Sequence, residues 1–199
     1  MKIRMKKNLL TLSLLLLFIA TNISAADKAR GVFVAFGVGP RLPVFDFANS
    51  TDLGYGFNIE FSYTDNEFIP VFLFARVGYE QYPGSQSFYQ ESEYSNLSTN
   101  VLPVNLGARY YFKPLLENVV LLMPILEVSA GYTYYNKQHQ FKIGSNRSNF
   151  LEETSRFGAS AGVGFSMFLM EMMASYNYFQ SNQFVAFDLR VRIPLFINY

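Results

Sequence analysis

Charged residues recur at alternate positions of otherwise apolar segments, and arginine is the only cation among them. This spacing places the side chains on one face of a β-strand. A guanidinium group binds a carboxylate through two hydrogen bonds, so a face with both residue types can form a network of ion pairs. The candidate residues are Glu60, Arg76, Glu80, Arg109, Glu127, Glu171, Asp188, Arg190 and Arg192.

Acyl transfer is the competing chemistry. It usually needs a serine nucleophile and a general base, most often histidine. His139 is the only histidine, and Ser145 and Ser148 follow it within segment 136–154. A lone histidine in a polar loop is usually solvated, so we expect no catalytic role. One histidine without cysteine also predicts neither a metal site nor a cofactor.

Eight segments of two-residue alternation can position the charged residues, and in each an apolar face opposes a polar one. Connections alternate between long loops, at 40–51, 83–98 and 136–154, and short turns. An even strand count with this asymmetry predicts an eight-stranded antiparallel up-and-down transmembrane β-barrel. The predicted strands are 31–39, 53–63, 71–80, 102–112, 124–134, 157–167, 170–178 and 184–199.

Two observations predict that the apolar face meets lipid. Lysines after residue 26 fall at Lys28, Lys113, Lys137 and Lys142, in segments assigned to the N-terminal stretch, turns and loops. A water-exposed barrel surface would instead carry roughly 25–35% charged residues. Aromatic residues also flank an aliphatic band on this face, as at two membrane interfaces. The polar face is therefore predicted to line the lumen.

The lumen network has two possible functions. Five carboxylates face four arginines, which is close to charge balance. Side chains just fill the interior of an eight-stranded barrel, so the ion pairs could plug it. The same pairs could open as the gate of a narrow passive pore. We favour the plug.

The N-terminal residues 1–26 predict a secretory signal peptide. A basic head precedes an apolar stretch at 9–20, and the small residues Ser24, Ala25 and Ala26 allow cleavage after Ala25 or Ala26. Residues 27–199 then form a single barrel domain with 12 Lys and Arg against 15 Asp and Glu. This balance gives no reason to expect nucleic acid as a partner.

The predicted last strand ends on an aromatic residue, and segment 157–165 is rich in glycine. With the eight alternating segments, these features resemble the small outer-membrane β-barrel domain family, similar to OmpX and the OmpA transmembrane domain. Pro103 and Pro194 depart from the pattern, because each removes a backbone donor within a predicted strand.

The resemblance implies a monomer in the bacterial outer membrane, with both termini in the periplasm. Its partners would be membrane lipid, lipopolysaccharide phosphates near Lys137, Lys142 and Arg147, and the barrel-assembly machinery during insertion. The implied function is structural or surface-interacting rather than enzymatic, with a lipid A-modifying enzyme as a third alternative. The implied insertion signal is Phe187, Leu189, Val191, Ile193, Leu195, Ile197 and Tyr199.

Overall fold

Eight antiparallel strands close into a barrel in chain order, and this confirms the predicted fold class. The structure is a computed structural model that describes residues 30–65, 68–115, 122–180 and 182–198. The predicted signal peptide and Tyr199 lie outside these ranges. The strands are β1 (Arg30–Val44), β2 (Gly54–Asp65), β3 (Ile69–Pro83), β4 (Tyr94–Tyr111), β5 (Leu122–Phe141), β6 (Phe150–Met167), β7 (Met170–Phe179) and β8 (Asn182–Asn198).

The barrel carries its apolar side chains outside and its charged side chains inside. Ile59, Leu106 and Val163 are exposed on the outer face, whereas Glu60 and Arg109 are fully buried in the lumen. No helix in the described ranges is long and apolar enough to cross a bilayer. An apolar band that surrounds a charged interior is the arrangement expected of a barrel whose solvent is lipid.

The predicted loops 83–98 and 136–154 are wrong in large part, because β4, β5 and β6 continue through them. Pairing of β4 with β5 begins at Tyr94 and Phe141, and pairing of β5 with β6 reaches His139 and Phe150. Extending an existing ladder satisfies the backbone groups of these polar segments, so the pairing does not need an apolar face. The resulting outer sheet comprises residues 94–98, 136–141 and 150–157.

Among the residues that the structure describes, one edge of the outer sheet has no strand neighbour. Pairing of β6 with β7 begins at Ala159 and Tyr178, so the preceding residues of β6 pair only with β5. On the other side of the sheet, the short helix α1 (Gln86–Glu91) precedes β4.

Lys137 lies in β5 within the outer sheet, so the prediction that lysine is absent from the strands is wrong. It lies beyond the apolar band.

The predicted first loop, 40–51, is also shorter than expected. Strand β1 continues to Val44, and a 3-10 helix follows at Phe45–Asn49. This helix turns Phe47 inward, where it is 3% exposed. Gly39 and Pro40 have no register partner on β8, so the strand tolerates a proline that cannot donate to the ladder.

Near its end, β8 departs from the predicted alternation. Ile193 pairs with Val34, but a register shift then places Phe196 opposite Val32 and Ile197 opposite Gly31. Cross-strand partners share a face, so the faces predicted for Phe196 and Ile197 are exchanged. The shift adjoins Pro194, which lacks the donor that regular pairing needs. Strand β8 keeps the predicted outward face at Phe187, Leu189, Val191 and Ile193, which are all exposed.

A charge on the apolar band will destabilise the barrel, whereas the same charge on the outer sheet will not. Leu106 and Leu151 are both exposed and outward-facing, but only Leu106 lies midway along the apolar band. We expect Leu106→Arg to lower the free energy of unfolding in phospholipid vesicles by about 2–4 kcal/mol. Leu151→Arg should change it by less than about 0.5 kcal/mol. Equal small effects in urea titrations would contradict the lipid-facing assignment.

Candidate functional site: a charge network across the lumen

All nine charged residues predicted for the lumen lie on the inner face, and none is more than 7% exposed. They come from six strands, and strand alternation aims each side chain at the barrel axis. The register also sets opposite charges directly across from one another on neighbouring strands. These opposed positions are Glu60 and Arg76, Arg109 and Glu127, and Glu171 and Arg190.

Glu60 is one centre of the network. Its carboxylate accepts hydrogen bonds from Arg76 Nε at 3.0 Å and Arg76 Nη2 at 2.6 Å. Arg109 donates to both Glu60 oxygens at 2.8 Å, and Arg192 Nη2 donates to Oε1 at 2.8 Å. Three arginines from different strands therefore converge on one carboxylate that has no solvent exposure.

Glu127 is the second centre and shares two of these arginines. It accepts from Arg76 Nη2 at 2.7 Å, from Arg109 Nε at 2.9 Å and from Arg190 Nη1 at 2.9 Å. Arg190 also donates to Asp188 Oδ2 at 3.2 Å. The shared guanidinium groups join the two centres into a single network across the lumen.

Glu171 extends the network toward the end of the barrel where β1 begins and β8 ends. It accepts from Arg192 Nε at 2.7 Å and from the Tyr111 hydroxyl at 2.5 Å. Arg192 Nη1 donates to Ser62 Oγ at 2.5 Å. Arg192 therefore connects Glu171 to the Glu60 centre.

Arg41 is a tenth member that the sequence reasoning missed. Its Nε donates to Glu80 Oε1 and its Nη2 to Asp188 Oδ1, both at 2.8 Å, and the residue is 2% exposed. The flanking residues Pro40 and Pro43 suggested a loop. Alternation from Gly37 through Gly39 could have placed Arg41 on the inner face. With Arg41, five arginines balance five carboxylates, so the network is neutral rather than acidic by one charge.

Apolar and aromatic layers cover both ends of the network. At the end of the barrel that carries the outer sheet, the Phe47 ring packs against the Tyr82 ring, with 4.9 Å between ring centres, within a buried cluster. On the other side, Phe72 lies between Phe33 at 5.4 Å and Tyr111 at 4.8 Å. The cluster on the outer side comprises Phe47, Tyr82, Val101, Tyr135, Phe179, Phe184 and Ala186.

Little free space remains beside the charges. A cavity of about 20 Å³ lies beside Arg41, Arg76 and Asp188. That volume holds about one water molecule. The arrangement can therefore hold charge in a space that is largely closed to water.

His139 is not the solvated loop residue that the sequence predicted. It lies in β5 with a side chain 11% exposed, stacked on Phe150 at 4.3 Å between ring centres. Its Nδ1 lies 3.2 Å from the Tyr94 hydroxyl and its Nε2 lies 3.0 Å from Glu152 Oε2. These contacts join β4, β5 and β6, so they stabilise the outer sheet. Neither serine of the hypothetical acyl-transfer site, Ser145 or Ser148, is among these partners.

The three cations expected to meet lipopolysaccharide phosphates have varied surroundings. Lys142 Nζ donates to the Tyr89 and Ser92 carbonyl oxygens at 2.8 Å each, tying the β5–β6 turn to the segment before β4. Arg147 Nε lies 3.1 Å from Glu93 Oε2. Lys137 is half-buried on the inner face of the outer sheet.

In the part of the chain that the structure describes, no group of three metal-ligating side chains occurs.

The fold and the lumen define a small membrane β-barrel with a charged, filled interior. No protein-family model and no curated protein matches the sequence. Neisserial surface protein A is similar at 15% identity and a TM-score of 0.48, over 84% of this chain and 99% of that one. Ail, the attachment invasion locus protein of Yersinia pestis, is similar at 13% identity and a TM-score of 0.46, over 84% of this chain and 100% of that one.

A third similar structure is the N-terminal β-barrel domain of Pseudomonas aeruginosa OprF. It has 16% identity and a TM-score of 0.42, over 83% of this chain and 100% of that one. Similarity at these values does not indicate a function for this chain.

Removal of one central carboxylate will leave three buried arginines without one of their counter-charges. We expect Glu60→Gln to lower the free energy of unfolding by about 3–5 kcal/mol, because Arg76, Arg109 and Arg192 lose a shared counter-charge. The matched control is Glu93→Gln, which breaks the exposed pair with Arg147 and should cost about 1 kcal/mol or less.

The measurement is urea unfolding in phospholipid vesicles, followed by the change in gel mobility on heating. If both variants lost the same small amount of stability, the buried network would not be a structural requirement.

Proposed function

We propose that this chain is a non-enzymatic outer-membrane protein, in which a closed barrel anchors an outer sheet for interactions at the cell surface. The neutral network across the lumen carries the proposal. Ten charged side chains pair inside the barrel, and apolar layers cover them at both ends. A lumen filled in this way supports an anchor better than the alternative of a narrow passive pore.

The apolar outer band supports placement in an outer membrane. Exposed tyrosines lie on the lipid-facing surface, near the end of the barrel that carries the outer sheet, including Tyr55, Tyr132 and Tyr178. Tyrosine favours the headgroup layer, where its ring is shielded and its hydroxyl stays wet. In this orientation the longer extensions face outward and both chain ends face the periplasm. The band would contact the acyl chains of outer-membrane lipid and lipopolysaccharide, and β8 would be presented to the assembly machinery.

The outer sheet supports the surface-interaction part of the proposal. Cross-strand aromatic contacts hold it beyond the apolar band, including Tyr94 against Phe141 at 4.6 Å between ring centres. The segment of β6 before Ala159 has no partner on its far side among the described residues, and an unpaired edge is a surface on which another extended chain can add. Such a preformed surface needs no catalytic group.

An enzymatic function has weaker support. A histidine base that is oriented by a carboxylate is one part of an acyl-transfer site. His139 and Glu152 are arranged in this way. However, the other hydrogen bond of the imidazole goes to Tyr94 rather than to a serine nucleophile. The geometry therefore supports a structural role for this histidine.

The closed lumen predicts that the pure protein does not conduct in planar bilayers. A neutral double variant, Arg109→Ala with Glu127→Ala, removes one cation and one anion from the centre of the network. We expect it to show conductance above the background. The matched control, Arg147→Ala with Glu93→Ala, removes an exposed pair of the same composition and should stay silent.

Each protein is first checked for heat-modifiable gel mobility, so that only folded barrels are compared. Steady conductance of the unaltered protein, at the level of the lumen variant, would refute the plug and favour the narrow pore.

A further inference from the structure

Arg156 differs from the other arginines that the structure describes. It lies on β6 opposite Thr133, whose side chain is fully buried on the inner face, so Arg156 also points inward. The remaining described arginines each form an ion pair with a carboxylate. Within the same ranges, Arg156 has no carboxylate within 4.0 Å, and its buried Nε has no hydrogen-bond partner.

Three further polar groups with unmet hydrogen-bonding capacity lie around it. They are the Tyr135 hydroxyl, Thr133 Oγ1 and Asn182 Nδ2, each buried and without a hydrogen-bond partner among the described residues. The Tyr135 hydroxyl faces both Thr133 and Asn182, and the Arg156 guanidinium lies 6.0 Å from the Tyr135 ring centre. Tyr135, Thr133 and Asn182 are no more than 3% exposed, whereas Arg156 is half-buried. Buried polar groups are nearly always paired, so a cluster of unpaired ones indicates a ligand.

The chemistry of this group is that of donors. An arginine Nε–H and an amide NH₂ can only donate, and the two hydroxyl groups can donate as well. The nearby carboxylate of Glu80 is already occupied by Arg41 and by the Tyr82 hydroxyl. Arg156 is half-buried, and no carboxylate among the described residues lies close enough to balance its positive charge.

We propose that Arg156, Tyr135, Thr133 and Asn182 form a binding site for a small oxyanion, such as phosphate or a carboxylate, in the outer part of the lumen. The guanidinium group supplies the charge, and the amide and hydroxyl groups supply hydrogen bonds to the ligand oxygens. Val101 and Phe179 belong to the same buried cluster as Tyr135 and restrict the site to a small ligand.

The anion would enter from the outer side. Lys137 lies on the same inner face as Tyr135, two residues further along β5, and is half-buried. Its ammonium group adds a second positive charge at the approach and favours anions over cations. Lipid headgroups lie on the opposite side of the barrel wall, so the ligand is a dissolved ion. This site is separate from the neutral network and does not depend on the proposed anchor function.

Titration of the folded full-length barrel with inorganic phosphate, and separately with acetate, tests the site. A sugar-based detergent and a phosphate-free buffer keep competing phosphate groups out. The readouts are the heat of binding and the NMR shift of the Asn182 side-chain amide. We expect saturable binding of at least one anion, together with a shift of that amide signal.

Two variants and one control separate the site from general charge effects. Arg156→Gln should weaken binding at least tenfold, and Tyr135→Phe, which keeps the ring, should weaken it by about threefold for one lost hydrogen bond. Arg147→Gln removes an exposed arginine and should leave the affinity within twofold. All are checked for heat-modifiable mobility. Absence of saturable binding of both anions, or unchanged affinity in Arg156→Gln, would overturn the proposal.

Discussion

The interior of this barrel depends on charge neutrality. Five arginines and five carboxylates lie in a lumen from which water is largely excluded. Transfer of an unpaired ion into such a space costs several kcal/mol, so each charge must meet a partner of opposite sign. Arg41 illustrates the constraint, because without it the carboxylates of Glu80 and Asp188 would lose a common counter-charge.

The same constraint fixes the strand register. A slip of one residue between two strands moves every side chain to the other face. Such a slip would place Glu60 or Arg109 against lipid and carry neighbouring apolar residues into the lumen. The network and the apolar band therefore specify the same register, which explains why a chain without cysteine can hold eight strands in one arrangement.

Residues in the membrane-spanning part were largely predictable from the sequence. Two-residue alternation identified the faces, and the absence of lysine from the spanning segments showed which face meets lipid. Features beyond the band were not predictable in the same way. Segments 83–98 and 136–154 are mostly polar, so no apolar periodicity marks their continuation as strands.

Individual sites were missed for local reasons. The two prolines around Arg41 concealed a strand, and Arg156 appeared one residue before the predicted start of β6. His139 looked solvated because its partners, Tyr94 and Glu152, come from segments that had been assigned to loops. The exchange of faces at Phe196 follows from a register shift, and a shift depends on the neighbouring strand rather than on the sequence of β8 alone.

The functional account joins a filled lumen to an ordered outer sheet. In the proposed function the lumen supplies rigidity without a path for solutes, and the sheet extends beyond the apolar band with one edge that has no strand partner among the described residues. Within this arrangement the two ends of the barrel differ. At the outer end, the buried cluster around Tyr82 covers the network and the half-buried Lys137 lies beyond it, whereas Phe72 and its ring neighbours cover the network at the other end.

Thiol accessibility in the lumen tests the closed barrel most directly, because the natural sequence contains no cysteine. Ser129→Cys places one thiol on the inner face two residues from Glu127, and Ser148→Cys places one in the exposed β5–β6 turn. The measurement is the rate of modification by a small methanethiosulfonate in folded protein. The account predicts that Cys at 129 reacts at least about a hundredfold more slowly than Cys at 148, because the reagent reaches the buried thiol only when the barrel opens locally. Comparable rates would show that water and small solutes reach the centre of the lumen, and would contradict the plug.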